Sequence, residues 1–97
     1  MHLDHRISLE PGTPSRGDTV RLEYRGLLKE SGADRVWLHY GFDGWKNPCY
    51  QQMERTPQGN FVCTTKIQGT REMNFCFKDS ANNWDNNSGW NWTCKIK

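Results

Sequence analysis

Apolar side chains recur at every second position of this chain, and the three-to-four spacing of a helix face does not recur. Ile7 and Leu9 begin the pattern. Val20, Leu22 and Tyr24 continue it, with Arg21, Glu23 and Arg25 on the opposite face. Val36, Leu38 and Tyr40 follow, then Phe61, Cys63, Thr65 and Ile67, then Met73, Phe75 and Phe77, and finally Trp92, Cys94 and Ile96. Successive strand side chains point to opposite faces, so each run describes a strand with one buried and one wet side. Met53 anchors a further short strand. Segments rich in glycine, proline, asparagine and aspartate divide the runs, at residues 11–18, 31–34, 41–48, 56–60 and 79–91. About seven short strands punctuated in this way predict an all-β fold, an antiparallel β-sandwich. A tight turn at 68–70 predicts that the run ending at Ile67 pairs with the run beginning at Met73. Residues 26–31 allow at most one helical turn.

Ninety-seven residues suffice for one domain, expected to fill positions 1–97. Aliphatic residues are sparse, but five tryptophans, four phenylalanines and three tyrosines can supply core volume. A net charge of +2, with acidic and basic residues interleaved, gives no footing for nucleic acid or an anionic membrane. No apolar run is long enough to span a bilayer, and the opening MHLDHRISLE lacks the apolar stretch of a secretory signal. A free-standing chain of this kind is expected in the cytoplasm, and a module excised from a secreted protein outside the cell. Cys49, Cys63, Cys76 and Cys94 show neither CxxC spacing nor closely spaced histidines, which argues against zinc. Cys63 lies in phase with Phe61 whereas Cys76 lies out of phase with Phe75 and Phe77, so free and mostly buried thiols are expected. No phosphate-binding, nucleophile-elbow, metalloprotease or EF-hand motif is present, and no cofactor is expected.

Residues 79–92, DSANNWDNNSGWNW, hold three of the five tryptophans and five asparagines with no lysine or arginine. Turn-forming residues studded with tryptophan suggest a recognition surface. Flat indole faces can receive a sugar ring, whose faces carry C–H groups and whose rim carries hydroxyls. Trp37 and His39 alternate with the core residues of their strand and face outward together, Trp37 as cover for the sheet. Trp45, six residues beyond His39, sits in a glycine-rich loop with no need of a large apolar side chain. Loops gather at the ends of a sandwich, so Trp45 and Trp84 are expected to meet near His39. Trp92 is in phase with Cys94 and Ile96 and belongs to the core; Trp90 is ambiguous. Asn86 and Asn87 each offer donors and an acceptor to hydroxyls. Asp79 and Asp85 could imitate a glycosidase pair, but aspartates at strand ends usually fix turns, and no enzymatic activity is expected.

The run VWLHYGFDGW, then Met53 and Phe61, then NFCFKDSANNWDNNSGWNW, resembles the starch-binding carbohydrate-binding modules of families 25 and 53. The N-terminal VRLEYRGLL extends the likeness over nearly the whole chain. The resemblance implies an immunoglobulin-like sandwich that binds α-1,4-linked glucans (starch, glycogen or maltooligosaccharides) without cleaving them. It places the aromatic platform on His39, Trp45 and Trp84, and polar contacts on Lys46, Asn86 and Asn87. It also implies association with a glucan-active enzyme. Binding at such an open surface is expected at a dissociation constant on the order of 10 µM to 1 mM. The alternative is a protein–protein interaction module that uses its exposed tryptophans.

Overall fold

The computed structural model describes residues 2–97. The chain forms β1 (His2–Asp4), β2 (Ile7–Glu10), β3 (Thr19–Tyr24), α1 (Leu27–Glu30), β4 (Val36–Phe42), β5 (Lys46–Gln52), β6 (Glu54–Arg55), β7 (Phe61–Lys66), β8 (Glu72–Asp79), β9 (Trp84–Asp85) and β10 (Trp92–Lys95). One sheet has the order β1-β2-β3-β7-β6 and the other β10-β8-β4-β5, every pair antiparallel. Short β9 pairs with β8 beyond the end of β10. This strand order is that of an immunoglobulin-like sandwich carrying two extra edge strands, β1 beside β2 and β5 beside the central β4.

The alternating residues meet between the sheets. Ile7, Leu9, Val20, Leu22, Tyr24 and Phe61 come from the first sheet, Ile67 from just beyond β7, and Val36, Leu38, Met73, Phe75, Phe77 and Trp92 from the second. Tyr24 stacks on Phe77 across the interior, ring centroids 4.1 Å apart. Burying each such aromatic contributes about 1.5–3 kcal/mol, so the aromatics offset the shortage of aliphatics. The Tyr24 hydroxyl donates to Asp85 Oδ2 at 2.6 Å and accepts from the Leu28 N–H at 3.0 Å. The same Asp85 oxygen accepts from the Leu27 N–H, so α1 is pinned to the pair. Gly26 permits this approach: a Cβ there would fall 2.7 Å from the Tyr24 ring.

Two expectations of the sequence are corrected. The runs at 61–67 and 73–77 do not form a hairpin. β7 pairs with β3 and β8 with β4, and the turn between them carries the chain from one sheet to the other. Alternation shows which side of a strand is buried, and that side faces the same interior from either sheet. The second correction is β5. Residues expected to lie in a loop up to position 48 form a seven-residue strand paired with β4. It is an exposed edge strand, so it carries no apolar alternation. Met53 follows it, buried, and donates its N–H to the Val36 carbonyl.

Candidate functional site

The outward face of the second sheet carries two adjacent cross-strand rows. In one, Tyr50, His39 and Cys76 lie side by side on β5, β4 and β8. In the other, Gln52, Trp37, Lys78 and Trp84 continue on to β9. The register brings aromatic rings together at spacings suited to contact. His39 stacks on Tyr50, with centroids 4.4 Å apart and planes 10° apart. It meets Trp45 at 5.2 Å and 41°, and Trp84 at 5.6 Å and 68°. Tyr50 and Trp84 are 6.5 Å apart and tilted by 59°. Such large rings are normally buried, yet Tyr50 is 57 % exposed and Trp84 41 % exposed.

Trp45 reaches His39 through a constrained loop. Asp43, Gly44, Trp45 and Asn47 all have positive φ, which is costly for a residue as bulky as tryptophan. Buried Asn74 on β8 holds the loop, its Oδ1 accepting from the Gly44 and Trp45 N–H groups at 3.2 and 3.0 Å. Asp43 accepts from the N–H groups of Thr70, Arg71 and Glu72, which hold its carboxyl well below the usual range. Gly41 completes the seat: a Cβ there would lie 2.9 Å from Trp45 Cα.

Beneath the rings, Cys76 Sγ lies 3.7 Å from His39 Nδ1. Burial, reinforced by Asp85, pushes the Cys76 thiol up to about 11, so it keeps its proton at neutral pH. Burial and the nearby Lys78 cation lower the His39 pKa. Where the protonated thiol donates to Nδ1, the neutral imidazole carries its own proton on Nε2, available as a donor. The Lys78 ammonium lies 5.6–5.9 Å from the centroids of Trp37, Tyr50 and Trp84, within cation–π range, and donates to Asn82 Oδ1.

The model of a family described as a starch/carbohydrate-binding module (family 53) matches residues 20–75. The chain belongs to this family. The match contains His39, Trp45 and Tyr50 and ends before Trp84. The module is also 30 % identical over 93 residues to an alpha-amylase of Clostridium acetobutylicum, covering 95 % of the module and 12 % of the amylase. It thus spans about an eighth of that relative's length. No solved structure gives a significant match.

Of the expected site residues, His39, Trp45 and Trp84 come together and the polar three do not join them equally. Lys46 is exposed beside Trp45 and lines a depression with Phe42, Asp43, Asn47, Cys49, Gln68 and Gly69. Asn86 is exposed next to Trp84, its Oδ1 accepting from the Gly89 N–H. Asn87 is engaged within the module: Oδ1 accepts from Arg6 at 2.8 Å and Nδ2 donates to the Asn91 carbonyl at 3.1 Å. The two aspartates are structural. Asp79 accepts from the N–H groups of Ala81 and Asn83, and Asp85 is buried against Tyr24. Tyr50 and Lys78 join this cluster of rings without having been singled out in the sequence. No cluster of three metal-ligating side chains occurs among the described residues, in which Cys63, Cys76 and Cys94 are buried free thiols and Cys49 an exposed one.

Proposed function

We propose that the module binds α-1,4-linked glucans, laying successive glucose rings on Trp45, Tyr50 and Trp84 around the His39 imidazole. The observation that carries this reading is the convergence of four rings from three strands and a loop on one open face, in a module of a starch/carbohydrate-binding family. Each sugar gains apolar contact and weak C–H contacts with an indole or phenol, while His39 Nε2–H, Lys46 and Asn86 serve its hydroxyls. Trp45 and Trp84 are tilted by 41° and 68° to the His39 ring, and Tyr50 and Trp84 by 59° to each other, which suits the curved path of an α-glucan better than a flat β-glucan ribbon. Asn87 acts by fixing the backbone beside Trp84. Non-catalytic binding in the company of a glucan-active enzyme fits both the family and the likeness to one segment of an amylase.

Titration with maltoheptaose, followed by tryptophan fluorescence and by indole N–H shifts in NMR, tests the proposal. Saturable shifts with maltoheptaose and none with cellohexaose are expected. Equal responses to both sugars, or to neither, would refute it.

A further inference from the structure

Trp84 borders a second feature that the aromatic platform does not use. On the surface between the β1–β2 turn, α1 and the segment after β9 lies a depression of about 370 Å³, within the range of small-molecule sites. Its lining includes His5, Leu27, Glu30, Trp84, Asn86 and Ser88, above a floor of Arg6, Gly26 and Asp85. We propose that this depression is a further sugar subsite, which continues the α-glucan path from the platform across Trp84. The inference rests on the platform reading above.

The chemistry of the lining supports a neutral polyol. Leu27 is 54 % exposed, and with Trp84 it supplies apolar surface for C–H groups. Around it stand a carboxylate acceptor (Glu30), an amide (Asn86), a hydroxyl (Ser88) and an imidazole (His5), a mixture suited to vicinal hydroxyls that both donate and accept. Glu30 on the wall disfavours an anionic ligand.

The floor is tied by hydrogen bonds within the protein. Arg6 Nη2 donates to Asp4 at 3.0 Å and to Asn87 at 2.8 Å, and Asp85 is held by Tyr24 and Leu27. Ligand binding therefore need not order it. The platform residues His39, Trp45 and Tyr50 do not line the depression, so Trp84, with Asn86 beside it, joins the two. A chain too short to cross Trp84 uses the platform only.

The experiment compares maltotriose with maltoheptaose by calorimetry, on the full chain and on a Leu27→Ala/Glu30→Ala variant. The full chain should bind maltoheptaose at least about fivefold more tightly. The variant should bind maltotriose unchanged and lose that preference, to less than about twofold. In NMR of the unaltered chain, which does not depend on the variant folding, the Leu27, Glu30 and Ser88 amides should shift with maltoheptaose and stay still with maltotriose. A length preference that survives the double substitution, or amides that stay still with both sugars, overturns the subsite and leaves the platform standing. Binding of neither sugar removes both.

Discussion

The two tryptophans that flank His39 are held in opposite ways. Trp84 belongs to a strand. β9 is hydrogen-bonded to β8, Trp84 faces Lys78 outward, and the next residue, Asp85, turns inward to Tyr24, Leu27 and Arg6. Its position is tied to contacts that hold the sandwich together. Trp45 belongs to a loop that departs from the favoured backbone, held by the Asn74 side chain and by the Asp43 carboxylate, which ties the loop to residues 70–72 leading into β8. One ring is thus placed by the core and the other by a local device. Damage to the first support should appear as lost stability, and damage to the second as lost binding.

The largest effect is expected at Asp85. Asp85→Ala leaves the buried Tyr24 hydroxyl without its acceptor and weakens the charge balance around Arg6, whose Nη1 lies 3.9 Å from the carboxylate. Removing one partner of such a buried network costs about 3–5 kcal/mol, so urea unfolding should show a loss near the lower bound. A loss below about 1 kcal/mol would mean that backbone pairing alone holds Trp84 and that the comparison fails on this side.

Asn74→Ala is the counterpart. It removes two N–H acceptor contacts from the loop, expected to lower stability by about 1–2 kcal/mol while maltoheptaose affinity falls tenfold or more, about 1.4 kcal/mol or greater. Gly41→Ala sharpens the point, because it displaces Trp45 without deleting a hydrogen-bonding group. Calorimetric titration beside thermal unfolding reads both quantities. Intact affinity in both variants would show that Trp45 finds its place without its seat.

These supports explain what was legible in the sequence. The core alternation marks one side of each strand clearly, and Trp92 was assigned to the interior because it keeps phase with Cys94 and Ile96. Trp45 stood out because its glycine-rich loop has no need of a large apolar side chain, and the family resemblance joined His39 and Trp84 to it. Tyr50 did not stand out. It lies on β5, an edge strand exposed along nearly its whole length, so no pattern of burial announced a strand or aimed its ring at His39. Asn87 looked available because turn asparagines often are. Its partner Arg6 lies 81 residues away, and only the fold brings them together. The segment 79–92 looked like one loop because β9 is two residues long.

Smaller effects are expected at His39 itself, where both supports converge. Burial and Lys78 lower its pKa from the ordinary 6.5, so between the two values the unfolded chain binds more protons than the folded one. Its contribution to stability is complete above pH 6.5 and is lost as pH falls through the folded value. Glucan affinity should follow the same course if the neutral imidazole is the binding form. Lys78→Met removes the repelling charge and leaves the burial, so the imidazole pKa read by NMR should rise part of the way toward 6.5. A pKa that does not move would mean that Lys78 acts only through its aromatic contacts.

The smallest effect is expected at Cys76, which touches no sugar in this reading and acts through His39. In this reading its thiol donates to Nδ1, 3.7 Å away, which leaves the imidazole proton on Nε2. Cys76→Val keeps an apolar group of similar size and removes the donor, so the imidazole becomes free to exchange tautomers. Imidazole nitrogen shifts should then move toward a mixed population, and maltoheptaose affinity should fall about two- to threefold, near 0.5 kcal/mol. Cys76→Ser restores a donor at the same position and should recover the single tautomer. A packing role alone predicts the reverse order, with valine tolerated and serine harmful, because serine leaves a smaller and more polar side chain in a site that is 5 % exposed. The two substitutions therefore separate a residue that orients the imidazole from one that merely fills the space beneath it.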